Sequence, residues 1–156
     1  AVKNSNIIHM VAFNYRRTPA VALAKKLIND NKIGDILNFR GTYLQDWPAD
    51  PNGPLSWRFQ KEVAGSGSLG DTGTHVIDFA RYLVGEISSV NAITKTYVES
   101  RPIQQSVNDT MDIRVGNTGA EKAKVDVDDE VITMLKFSNG AIGTMEATRN
   151  AYGRNN

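Results

Sequence analysis

The order of elements in these 156 residues predicts an α+β domain in which two helices lie on one face of a largely antiparallel sheet. Three observations carry that expectation. A helix-period segment follows Thr18-Pro19, strand-like segments crowd the second half, and an Asn-Gly pair sits between the last two of them. No internal repeat interrupts the order, and a chain of this length suits one domain, residues 1–156, with a sizeable core.

Each element has its own reason. Ile7 to Tyr15 is apolar and aromatic, as in a strand buried on both faces, and His9 falls within it. Thr18 and Pro19 then form an N-cap and first-turn pair. Ala20, Leu23, Ala24, Leu27 and Ile28 follow at the spacing of one helix face, and Gly34 closes the segment. Asp35 to Asp46 alternates, with Leu37, Phe39, Gly41 and Tyr43 on one side, and delivers Gln45, Asp46 and Trp47 into a loop. That loop, Pro48 to Lys61, is rich in proline but carries Trp57 and Phe59.

A second helix is predicted from about Asp71 to Leu83, with Val76, Phe79, Ala80 and Leu83 as its core stripe and Gly85 as its stop. A strand from Ser89 to Glu99 follows by alternation, and Met111 to Val115 reads as another. Gly116 to Lys124 is polar and reads as a loop or hairpin tip. Val131 to Phe137 and Ala141 to Ala147 read as strands joined at Ser138-Asn139-Gly140, because Asn and Gly tolerate positive φ.

Composition narrows the function classes. Eighteen basic and 17 acidic side chains leave a net charge of +1 with no basic stripe, so bulk electrostatics recruits neither nucleic acid nor an anionic membrane. The absence of cysteine excludes disulfides, thiol catalysis and thiolate metal sites, and fits the reducing cytoplasm. No apolar run reaches the 18 or more residues of a membrane span, and Ala1 to Met10 lacks the pattern of a signal peptide. Both ends read as cut, so the chain is expected to be part of a longer protein.

Gly65-Ser66-Gly67-Ser68-Leu69-Gly70 satisfies the GxGxxG spacing of dinucleotide sites, but its context rejects that reading. The preceding Phe59 to Ala64 is too polar for the required strand, and position 90, where an acid belongs, is Val90. Asp71 and His75 are a better pair, because four residues apart they share a helix face that Asp78 and Tyr82 continue. A carboxylate near a helix N-terminus beside an imidazole is the make-up of a general acid/base and its orienting partner. Spacing alone leaves a helix cap and an ordinary helix histidine as the alternative. A metal site is not expected, since His9 is the only other histidine. Trp57 and Arg58 read either as a sugar-facing wall or as a loop anchor. The acidic run Asp126 to Glu130 lacks calcium-loop spacing and reads as a solvated strand entry.

Several segments, in order, resemble one family. They are Phe13-Asn14-Tyr15-Arg16-Arg17-Thr18-Pro19, Lys32 to Ile36, Ser56-Trp57-Arg58, Gly67 to Asp78 with its Gly-Asp-x-Gly-x-His-x-x-Asp pattern, and Phe137 to Ala141. The set resembles the C-terminal domain of the glucose-fructose oxidoreductase, inositol dehydrogenase and rhizopine-catabolism (Gfo/Idh/MocA) oxidoreductases. The resemblance implies an open sheet used in homo-oligomer contacts, and a full-length dehydrogenase of a sugar, cyclitol or related polyol that uses NAD or NADP. It implies that Asp71 and His75 are catalytic, with His75 exchanging the proton of the substrate hydroxyl, and places Asn14, Arg16, Gln45, Trp57 and Arg58 around the substrate. The family's Rossmann domain and its Glu-Lys-Pro lysine motif are absent from these residues; Lys3 stands between Val2 and Asn4. The chain alone is therefore expected to bind the cofactor negligibly and to be inactive. Two alternatives remain open: a non-catalytic regulator that senses a sugar nucleotide or a partner, and an NAD-dependent glycoside hydrolase.

Overall fold

The computed structural model describes residues 4, 5, 7–104 and 118–153. Among these residues the elements are α1 (Pro19–Asn29), β1 (Asn38–Leu44), the short α2 (Lys61–Ala64), α3 (Thr74–Leu83), β2 (Ile87–Lys95), β3 (Ser100–Gln104), β4 (Thr118–Lys124), β5 (Glu130–Phe137) and β6 (Ile142–Thr148). A four-stranded sheet runs in the order β1-β6-β5-β2, and β3 pairs with β4 in a separate ribbon. The two pairs β2–β5 and β5–β6 are antiparallel, while β1 joins β6 in parallel. The α+β architecture and the largely antiparallel open sheet are as predicted.

The core forms where α3 meets the sheet. Val76 and Ala80 pack on Val131, Leu135, Phe137, Met145 and Ala147, with Phe39 and Tyr43 of β1 at the edge. Full burial of each large apolar side chain contributes about 1.5–3 kcal/mol before ordering costs. From Asn38 the alternation predicted for β1 holds, since Phe39, Gly41 and Tyr43 turn inward while Asn38, Arg40 and Thr42 are exposed; Leu37, expected on the inward side, precedes the strand and is exposed. On the other side of the sheet Ile93, Ile132, Met134 and Ile142 stand exposed. The β5–β6 hairpin closes as predicted at Asn139-Gly140, but only Gly140 takes positive φ. Asn139 instead uses its side chain, accepting the Ala141 amide at 3.1 Å and donating to the Val84 carbonyl at 3.2 Å.

Several expectations are corrected. Residues 7–13, predicted as a doubly buried strand containing His9, have no regular structure and leave Ile7, Ile8, Met10 and Val11 exposed. Nothing among the described residues covers them, and composition alone does not supply a neighbour. Helix α1 forms, but only Val21, Ala24, Lys25 and Ile28 are half-buried; Leu23 and Leu27 of the predicted face point outward, because α3 covers just one side. Thr18 makes no side-chain cap and hydrogen-bonds back to the Tyr15 carbonyl. The polar stretch predicted as a loop to Lys124 is strand β4 from Thr118, because β3 supplies its ladder partners. The strand predicted at Met111 to Val115 lies outside the described residues.

The acidic run is the largest correction. Asp129 is buried, and its carboxylate accepts the amides of Tyr97 and Val98 at 2.7 and 3.0 Å, which ends β2 short of the predicted Glu99. Asp128 accepts the amides of Gly67 and Leu69, each at 2.7 Å, and the Ser68 hydroxyl at 2.9 Å. These are folding contacts of the two side chains with backbone amides and a serine hydroxyl, not a solvated strand entry.

Candidate active site

Asp128 sets the start of the site. A Cβ on Gly67 would lie 1.7 Å from the Asp128 carbonyl oxygen, so only glycine permits that approach. The glycine-rich turn thus wraps a carboxylate of its own chain, and its amides are spent. Immediately after it, residues Leu69–Gly73 form a single π-helical turn before α3 begins at Thr74. Such turns interrupt the helical phase and re-aim the side chains they carry. Asp71 sits in this turn, and its carboxylate accepts a hydrogen bond from Arg149 Nη2 at 3.0 Å.

His75 lies one turn further along α3, half-buried under rings. Tyr15 stacks on the imidazole with 4.5 Å between centroids, Phe13 meets it edge-on at 6.0 Å, and Tyr43 is also at 6.0 Å. The Tyr15 and Tyr43 hydroxyls hydrogen-bond each other at 3.0 Å. That bond raises the Tyr43 phenol to about 12, helped by partial burial and the nearby charge of Asp71, while a hydrogen bond from Gln45 acts in the opposite direction. His75 Nδ1 is buried with no protein partner. Leaving such a nitrogen unpaired costs about 1–3 kcal/mol.

Gln45, Asp71 and His75 therefore gather around Tyr43. Gln45 also accepts the indole N–H of Trp47 at 2.6 Å, which places Trp47 at the same end of β1. Trp47 packs on Phe59 at 5.9 Å and lines a cleft of about 240 Å³ with Pro48, Pro54 and Arg101. Arg58 enters through its backbone, since its carbonyl accepts Arg149 Nη1 at 3.3 Å; its guanidinium lies 4.4 Å over the exposed Trp57 ring. Asn14 is exposed on the 3-10 turn Asn14–Arg17. Arg16, on the same turn, binds the buried Asp78 carboxylate and covers the Tyr82 ring at 4.8 Å. The hydrogen bond to Asp78 is also the main reason its pKa is raised. From His75 to Tyr82 the polar helix face seen in the sequence is thus covered by Phe13, Tyr15 and Arg16, while Asp71 faces Arg149.

Sequence reasoning about the site missed Tyr15, Tyr43, Trp47 and Arg149. Tyr15 and Trp47 lie beside residues that were singled out, and Tyr43 occupied an inward strand position. Arg149 is 78 residues from Asp71, and no local pattern marks it. Among the described residues no group of three potential metal ligands comes together.

The chain is thus an α+β domain that carries Asp71 on the π-helical turn and His75 on the helix that covers the sheet. Residues 21–156 match the GFO/IDH/MocA C-terminal domain, and the chain belongs to that family. It is 67% identical over all 156 residues to levoglucosan dehydrogenase of Pseudarthrobacter phenanthrenivorans, of which it covers 40%. It is 30% identical over 154 residues to scyllo-inositol 2-dehydrogenase (NAD(+)) of Bacillus subtilis, covering 97% of this chain and 37% of that protein. A solved structure of levoglucosan dehydrogenase in complex with NADH and levoglucosan matches with a TM-score of 0.84 at 64% identity, over 99% of this chain and 37% of that one. The chain spans about two-fifths of the length of these curated relatives.

Proposed function

We propose that this chain, residues 1–156, is the substrate-facing domain of a two-domain, NAD-dependent dehydrogenase that oxidises a hydroxyl of a sugar, anhydro-sugar or cyclitol. The observation that carries this reading is His75, a half-buried imidazole set among Tyr15, Phe13 and Tyr43 one turn after the Asp71 carboxylate. The levoglucosan and inositol dehydrogenases that resemble the chain support the substrate class.

Nicotinamide, when bound, supplies the hydride-accepting carbon. The chain's own glycine turn does not suit the pyrophosphate, because Asp128 already fills it, so the phosphates would be held by residues outside this domain. His75 takes the hydroxyl proton of the substrate as its C–H pair leaves as hydride, and a carbonyl forms. Asp71, on the π-helical turn before it, is assigned the electrostatic tuning of the imidazole. Gln45 donates to or accepts from substrate hydroxyls, the Trp47 and Tyr15 rings offer faces to the sugar carbons, and Asn14, Arg16, Trp57 and Arg58 form the outer rim. The chain alone neither holds the cofactor nor turns over.

The test is oxidation of levoglucosan, inositols and glucose by the full-length protein, followed as NADH absorbance. His75→Ala is expected to lower kcat/KM by about 10²–10⁴. A loss of only a few-fold across the panel would sink the assignment.

The open sheet face bearing Ile93, Ile132, Met134 and Ile142 is proposed as the homo-oligomer contact. Sedimentation of the full-length Met134→Glu variant should show a smaller species, and an unchanged assembly would refute it. Residence in the cytoplasm is proposed from the absence of cysteine, and cell fractionation tests it.

A further inference from the structure

We propose that Arg149 is a positioning residue that holds Asp71 in place for His75; this rests on the dehydrogenase reading above. Arg149 follows the last residue of β6 and is 1% exposed, although it carries a full charge. A guanidinium in such a place needs acceptors and a balancing charge, and Arg149 meets them through its two terminal nitrogens while its buried Nε has no partner. Its Nη2 donates to Asp71 Oδ2 at 3.0 Å, and its Nη1 donates to the Arg58 carbonyl at 3.3 Å. The Trp47 and Phe59 rings each face its central carbon at 5.7 Å. Its backbone amide donates to the Asp129 carbonyl at 2.9 Å.

One side chain therefore ties the end of the sheet, the π-helical turn and the Ser56–Phe59 loop together at the Asp71 carboxylate. The Asp71 side chain is 40% exposed on the π-helical turn, and the ion pair to the buried Arg149 fixes its carboxylate there. Arg149 is too buried to reach substrate, so its influence on turnover passes through Asp71. The two acceptors are met by separate nitrogens of one planar fork, a geometry that the single nitrogen of a lysine does not reproduce.

The experiment uses the full-length enzyme with wild type, Arg149→Met, Arg149→Lys, Asp71→Asn and the Arg149→Met/Asp71→Asn double variant. Arg149→Met is expected to lower kcat by about 10²-fold with little change in KM, the scale of a misplaced catalytic group. In the Asp71→Asn background the same change should cost less than about 3-fold, because the interaction is already gone. Arg149→Lys should fall between wild type and Arg149→Met. Equal losses in both backgrounds, a rise in KM at constant kcat, or wild-type kcat in Arg149→Lys would each overturn the proposal. A crystal structure of Arg149→Lys, which keeps charge and most of the bulk, provides a readout independent of turnover. The Asp71 carboxylate should leave its wild-type rotamer there, and an unmoved carboxylate overturns the role of Arg149 even if the protein proves to have no dehydrogenase activity. Loss of the dehydrogenase reading itself appears separately, as an inactive wild type.

Discussion

The turn at residues 65–70 is glycine and serine apart from Leu69, yet Ser68 is fully buried and the turn is held by three hydrogen bonds to the Asp128 carboxylate and a fourth to its carbonyl. Residues 7–13 are among the most apolar in the chain, yet Ile8 is 103% and Met10 86% exposed. The polar segment is over-determined because a partner 61 residues away brings a carboxylate to its amides. The apolar segment is under-determined because no described element lies over it. Burial in this domain follows from what tertiary structure places opposite a segment, not from the segment's own hydropathy.

Replacing the glycine of that turn should have the largest effect on the contrast. Gly67→Ala puts a methyl group into the Asp128 carbonyl, and denaturant unfolding should show a loss of about 3 kcal/mol. A loss below about 1 kcal/mol would mean that the turn can shift and is less constrained than its contacts imply. Removing the anion comes next. Asp128→Ala leaves two amides and a hydroxyl without their acceptor and should cost about 2 kcal/mol, whereas Asp128→Asn, which keeps one acceptor oxygen, should cost about half as much. Similar losses in the two variants would assign the stability to charge alone.

On the other side of the comparison, Ile8→Ser and Val11→Ser in the 156-residue chain should change unfolding free energy by less than about 0.5 kcal/mol. A larger cost would show that residues 7–13 pack in solution. The smallest effect concerns the rings where this segment ends. Tyr43 is raised from 10.0 to about 12 chiefly by the Tyr15 hydroxyl, so the folded state favours the protonated phenol. Its contribution to stability is fully present below pH 10.0 and is lost as pH rises through about 12. In Tyr15→Phe, tyrosinate absorbance should show one phenol ionising at lower pH than in wild type; an unchanged titration would break the assigned pairing.

The elements whose evidence is local were legible before any coordinates. Helix α1 announced itself through Thr18-Pro19 and its apolar spacing, β1 through alternation, and the final hairpin through Asn139-Gly140. Asp71 and His75 were picked out for the same reason, since a four-residue spacing is a local relation, but the helix expected from about Asp71 begins at Thr74 and leaves Asp71 on the π-helical turn before it. What surrounds them was not visible. Tyr15, Tyr43 and Arg149 come from three separate segments, and nothing in the spacing of one segment encodes its distance to another.

By itself, then, the sequence determined the kind of domain, the positions of its main helices and hairpin, and, through ordered motifs, the family. Tertiary structure alone decided that Asp128 and Asp129 turn inward, that β4 is a strand, and that Arg149 meets Asp71. The physical reason is one of range. Helical and strand periodicities, caps and turns are set by neighbours within a few residues, whereas a carboxylate is solvated, structural or catalytic according to which donors the folded chain brings within about 3 Å of it.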